Sequence, residues 1–98
     1  NWFRHKVGTA IVAVRRSGGS HTLDGLYHYL SYSEMLISSS NYWNIIHGLK
    51  AGEAIQDAEG NQIMRILGKN MAWLLREQTK DTLTAPETET KIITNFIR

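Results

Sequence analysis

The stretch that most constrains this chain is residues 7–14. Val7, Gly8, Thr9, Ala10, Ile11, Val12, Ala13 and Val14 make a short, nearly unbroken apolar run rich in β-branched side chains. Its length suits a strand rather than a helix, and the lack of polar alternation predicts cover on both faces. A polar, glycine-rich break follows at Arg15, Arg16, Ser17, Gly18, Gly19 and Ser20. Leu23, Leu26, Tyr27 and Leu30 then recur at i, i+3, i+4 and i+7, one face of an amphipathic helix, with Ser20 or Thr22 as its N-cap. Gly25 weakens that helix but permits close packing. Met35, Leu36, Ile37 and Ser38 to Ser40 read as a second short strand. Strand, helix and strand at this spacing predict a βαβ unit with a parallel pair and a right-handed crossover.

Residues 41–44 follow that strand, and residues 45–56 read as an irregular loop broken by Gly48 and Gly52. Asp57 is placed to cap a long helix reaching about Glu77, with Ile63, Leu67, Met71, Leu74 and Leu75 as its apolar stripe. Trp73 lies beside the stripe, while Arg65, Lys69, Arg76 and Glu77 read as a solvated face. The natural division is residues 1–79 as the folded part and residues 80–98 as a polar tail. That tail carries Thr82, Thr84, Thr88 and the single proline, Pro86, and its apolar tip of Ile92, Ile93, Phe96 and Ile97 is expected to dock on the body or on a neighbour.

The fold class is therefore α/β, but two parallel strands leave a sheet edge open. A doubly wound domain of five βα units at roughly 30 residues each needs about 150 residues. The chain has 98 and does not begin with Met, so it is expected to be the later half of such a domain. Alone it should be marginal, or complete itself with a second copy.

Composition removes several classes of function. Hydrophobic residues are 42% and charged residues 20%, which argues against disorder, and no apolar run nears the roughly 20 residues of a membrane span. A net charge of +2, with cations scattered among carboxylates, gives no basic stripe for nucleic acid. The absence of cysteine excludes disulfides and thiolate metal sites and fits a cytoplasmic protein. No signal-peptide pattern opens the chain. His5, His21, His28 and His47 are too dispersed for a metal motif, and no nucleophile, triad or carboxylate pair stands out. His21 near the glycines could contact a ligand but reads first as a capping or solvent-exposed residue, and His47 as at most a proton donor near a site.

Three segments in order carry a family resemblance: residues 7–22 (VGTAIVAVRRSGGSHT), 39–44 (SSNYWN) and 57–75 (DAEGNQIMRILGKNMAWLL). Together they resemble the C-terminal half of the flavodoxin-like NAD(P)H-dependent FMN reductases, above all the relatives of the iron–sulfur flavoproteins. The ending, Thr94, Asn95, Phe96, Ile97 and Arg98, is similar too. The resemblance covers residues 1–78 and the tip. It implies the fourth and fifth βα units of a flavodoxin-like parallel sheet, with FMN at the carboxyl ends of the strands where strand order reverses. It also implies hydride transfer from NADH or NADPH to FMN and onward to an acceptor. The family's phosphate-cradling loop after the first strand, and its ring-contacting loop after the third, have no counterpart here.

Arg15, Arg16, Ser17, Gly18 and Gly19 would then form the FMN-side loop. Glycines let backbone amides approach a flavin carbonyl, and an arginine favours negative charge on the ring. The plain alternative is a strand-to-helix turn with exposed arginines. Tyr42, Trp43 and Asn44 are expected at the carboxyl end of the second strand, where they would stack on flavin or nicotinamide, seal a subunit interface, or pack their own loop. The lack of a catalytic constellation suits a flavoenzyme, whose cofactor carries the hydride chemistry. The alternative function is a non-catalytic half or interaction module that completes its sheet through dimerisation or a partner chain.

Overall fold

A computed structural model describes residues 1–80 and 83–94. The strand expected over residues 7–14 forms as two short pieces, β1 (Val7–Gly8) and β2 (Val12–Val14). Helix α1 (Gly19–Tyr32) leads to β3 (Leu36–Ile37) and β4 (Ile45–His47), then to a short helix α2 (Glu53–Gln56) and a long one, α3 (Ala58–Lys80). All strand pairing is parallel: β1 with β3 and β2 with β4, as two two-stranded sheets. The protein is thus mixed α/β, with the expected βαβ pairing.

The register explains why the strand breaks. Val7 faces Leu36, whereas Val12 faces Ile45. Between those pairs the first strand advances five residues and the second nine, so the second carries four extra residues. Residues 39–43 leave the sheet and the chain rejoins the same neighbour at Ile45. This corrects the expectation of an irregular loop from residue 45: Ile45, Ile46 and His47 are strand. Three residues beside Gly48 show too little periodicity to register as a strand.

Consecutive strand residues point to opposite faces, and the two helices use both. A Cβ on Gly19 of α1 would lie 3.0 Å from Ile45 Cδ1, and one on Gly60 of α3 would lie 2.8 Å from Ile46 Cγ1. Helices α1 and α3 therefore cover opposite sides of the β2–β4 ribbon. Val12, Leu23, Ile63 and Leu67 form the buried apolar core. Ile11 stays 51% exposed and Ala13 is also exposed, contrary to a strand covered on both faces, because one strand neighbour cannot shield it.

The two edges of the ribbon differ. Val12 N–H donates to Asn44 O and Gly48 N–H to Val14 O, so Val12 and Val14 direct their backbone groups inward. Ala13, between them, points outward, as does Val7 between Lys6 and Gly8. Neither outward amide has an acceptor among the described residues. On the other edge, Ile45 N–H donates to Trp43 O at 2.7 Å and His47 N–H to Asp57 Oδ2 at 2.8 Å. The β4 edge has its donors satisfied, and the β1–β2 edge is open.

Helix ends follow local chemistry. Asp57 caps α3 as expected, its Oδ1 accepting Gly60 N–H at 2.9 Å. Neither Ser20 nor Thr22 caps α1. Gly18 holds that position at φ 87°, where a left-handed backbone favours glycine, and Thr22 Oγ1 instead donates to Gly18 O. The tail runs extended past the body, with Arg4 Nη2 donating to Pro86 O at 2.8 Å. Ile92 and Ile93 are 92% and 76% exposed rather than docked. Thr82, Phe96 and Ile97, and the resemblance of the terminus beyond Thr94, lie outside the described residues.

Candidate functional site

Arg15, Arg16, Ser17 and Gly18 are exposed at the carboxyl end of β2, and Gly19 is buried where α1 begins. Gly19 owes its burial to Ile45, so its missing side chain sets how closely α1 approaches the sheet. Gly18 has open space around it. No side chain caps α1 and no acidic residue lies in its first turn. The exposed amides of Ser20 and His21 therefore precede the first helical hydrogen bond, Thr22 N–H to Gly18 O at 3.1 Å. Positive side chains, a glycine at positive φ and an uncapped helix start share one surface, which suits an electron-rich or anionic group.

Tyr42, Trp43 and Asn44 follow the carboxyl end of β3 and directly precede β4. They lie where the second strand leaves and re-enters the sheet, and β4 continues past them to His47. Tyr42 and Trp43 are 61% and 57% exposed, with ring centroids 6.0 Å apart and planes at 44°. With Tyr27, Ser39, Ser40 and Asn41 they line a cleft of about 270 Å³. A smaller cavity of about 90 Å³ on their other side reaches Ile45, Asp57 and Ile63. Ser40 Oγ ties the excursion to α3 by donating to Ile63 O at 2.7 Å.

Asn44 builds this region from within. It is 1% exposed, and its amide nitrogen lies 3.0 Å from Ala10 O, 3.1 Å from Thr9 Oγ1 and 3.0 Å from Tyr27 Oη. These bonds span the gap between the two halves of the sheet. Burial pushes the Tyr27 phenol above its ordinary value, with Asp24 adding to the shift and a Thr9 hydrogen bond opposing it. Tyr27 therefore stays neutral as part of the cleft wall. Asn44 Oδ1 and Ser38 Oγ are both buried without a hydrogen-bond partner among the described residues.

At the true carboxyl end of β4 sits His47, in register with Val14 and thus one residue short of the level of Arg15. Arg15 and His47 line one shallow cavity of about 490 Å³ with Gly48, Leu49, Glu53, Gln56 and Asp57. Asp57 Oδ2 accepts His47 N–H and lies 3.5 Å from its Nδ1, an ion-pair distance rather than a strong hydrogen bond. The backbone N–H groups of Gly60 and then His47 hold the Asp57 carboxyl below its usual range. The carboxylate stays ionised and fixed at both oxygens.

The structure thus brings Arg15 together with His47, and His47 and Asp57 also line the smaller cavity beside Tyr42 and Trp43, which Arg15 does not reach. The aspartate partner of His47 was the signal sequence reading missed, because Asp57 is ten residues away and already accounted for as a cap. No group of three or more metal-ligating side chains occurs among the described residues, and no helix there is long and apolar enough to cross a membrane. Comparison with known protein families, curated proteins and solved structures finds no match to this chain.

Proposed function

We propose that this chain supplies the fourth and fifth βα units of a flavodoxin-like sheet, and with them the ring side of an FMN site in an NAD(P)H oxidoreductase. The observation that carries this reading is the exposed loop of Arg15, Arg16, Ser17 and Gly18 opening an uncapped helix at the carboxyl end of β2. Open α/β sheets bind ligands at that end. Parallel pairing with α1 and α3 on opposite faces also suits a doubly wound layout. FMN would supply the hydride chemistry, accepting from NADH or NADPH and passing electrons to an acceptor. The open space at Gly18 would let the ring approach, and Arg16 would place positive charge beside it, while Gly19 is buried against Ile45. The phosphate is held by other parts of a complete site. We place the protein in the cytoplasm on its lack of cysteine.

Hydride transfer requires the two rings in contact. Tyr42 and Trp43 line cavities apart from Arg15, so we assign them to a cofactor bound by a second copy, with Asn44 holding their loop in place. An FMN titration of the chain, followed by flavin fluorescence and visible absorption, tests the reading. Saturable quenching that weakens in Arg16→Ala supports the ring site. A folded chain that leaves the flavin spectrum unchanged removes it as a property of this chain alone.

A second reading is favoured by the open β1–β2 edge: a non-catalytic half that completes its sheet with a partner strand. The outward amides of Val7 and Ala13 and the exposed Ile11 suit strand addition. Size-exclusion chromatography separates the two states. A stable pair, or a stable complex with an added N-terminal half, supports completion, and a well-folded monomer with protected edge amides opposes it.

A further inference from the structure

The cavity at the ends of β2 and β4 is lined by one side chain without a partner among the described residues, Arg15, and by His47, which Asp57 engages on one side only. Arg15 makes no hydrogen bond or ion pair with the described residues. The His47 side chain is 54% exposed, with its Nδ1 side turned to Asp57. The carboxylates in the same cavity are already engaged: Asp57 with the Gly60 and His47 amides, and Glu53 Oε2 with Leu49 N–H at 3.3 Å. Gln56 is the remaining polar side chain of the lining. Because Asp57 remains ionised, it favours the proton on Nδ1 and leaves Nε2 as the outward nitrogen.

We propose that Arg15 and His47 together bind an oxyanion, a carboxylate or a phosphate-type group, at the carboxyl end of β2 and β4. Arg15 approaches from the end of β2 and His47 from the end of β4. His47 pairs in register with Val14, and Arg15 directly follows Val14, so the strand pair brings the two donors to one end of the sheet. The guanidinium offers a fork of N–H donors and the protonated imidazole a further charged one. The site shares Arg15 with the loop proposed for the flavin and extends from it to His47, Gly48 and Glu53.

Sulfate and acetate are the probes, because sulfate keeps its charge from about pH 5.5 to 8, the range in which a histidine titrates. Each is titrated into the 98-residue chain while the His47 ring and the Arg15 and Gly48 amides are followed by NMR. We expect saturable shifts at those three positions. Arg15→Gln and His47→Gln should each weaken binding roughly tenfold. Glu53, Asp57, Glu59 and Arg15 share cavities with the imidazole, so Glu53→Gln should tighten binding in the same assay. Sulfate binding alone marks a phosphate-type ligand and acetate binding alone a carboxylate. Shifts that His47→Gln leaves unchanged, or that centre on Ser20 and His21 instead, overturn the proposal. Flavin absorbance reads a different signal, so failure of the FMN reading and failure of this one remain distinguishable.

Discussion

Asn44 Nδ2 lies 3.0 Å from Tyr27 Oη, joining α1 to the point where the second strand re-enters the sheet. The same nitrogen reaches Ala10 O and Thr9 Oγ1 across the gap between β1 and β2. Replacing Asn44 with Ala removes the two N–H donors shared among three half-buried oxygens. The expected cost is about 2–3 kcal/mol. A urea midpoint that moves by less than a small fraction of that would show the cluster to be dispensable.

The core predicts a contrast on one helix. Leu23 is 1% exposed and Leu26 is 39% exposed, although both fit the same apolar face in sequence. Leu23→Ala should cost roughly 2–5 kcal/mol and Leu26→Ala well under half as much. Thermal or chemical denaturation of the two variants side by side checks the ordering.

Two glycines of α3 should respond with opposite signs. A Cβ on Gly60 would collide with the Asp57 carboxylate and with Ile46, whereas one on Gly68 meets nothing within 4 Å. Gly60→Ala is expected to lower stability by about 1–3 kcal/mol. Gly68→Ala should raise it by about 0.5–1 kcal/mol through helix propensity and reduced freedom of the unfolded chain. Equal effects at both sites would contradict the close approach of α3 to β4.

Asp57 makes stability depend on acid. Its folded carboxyl is held below its usual value by the Gly60 and His47 amides. A depressed carboxyl contributes stability above its unfolded value, and that contribution disappears as pH falls through the folded value. Between about pH 5 and pH 3 the urea midpoint should therefore fall more in the native chain than in Asp57→Asn. Parallel curves for the two proteins would dismiss this linkage.

The edges can be told apart by proline. The Ala13 N–H points away from β4, while the Val12 N–H bonds to Asn44 O at 3.0 Å. Ala13→Pro should leave the monomer fold intact and abolish any association through the β1–β2 edge, whereas Val12→Pro should unfold the strand pair. Dimerisation that survives Ala13→Pro would place the contact elsewhere.

Sequence periodicity was enough for what is long or locally determined. Helix α3 follows from the spacing of Ile63 and Leu67 together with Asp57 at its start, and the parallel βαβ pairing follows from two apolar runs flanking Leu23. Element β4 was illegible because three residues hold no period and because its pairing depends on a partner more than thirty residues earlier. The cap of α1 was misread for a different reason: Ser20 and Thr22 are favourable cap residues, but Gly18 at positive φ already turns the chain. The site divided in the same way. The glycine loop could be read from composition, whereas the meeting of Arg15 with His47 arises only from the register that the strand excursion imposes.

The inequality of the two sheet edges sets a limit on growth. Trp43 O and the Asp57 carboxylate occupy the outward donors of β4, so an incoming strand finds a template on one side only. At the β2–β4 ribbon, two chains meeting open edge to open edge would each then present the blocked β4 margin. Assembly through these edges stops at a pair and does not propagate into a fibre.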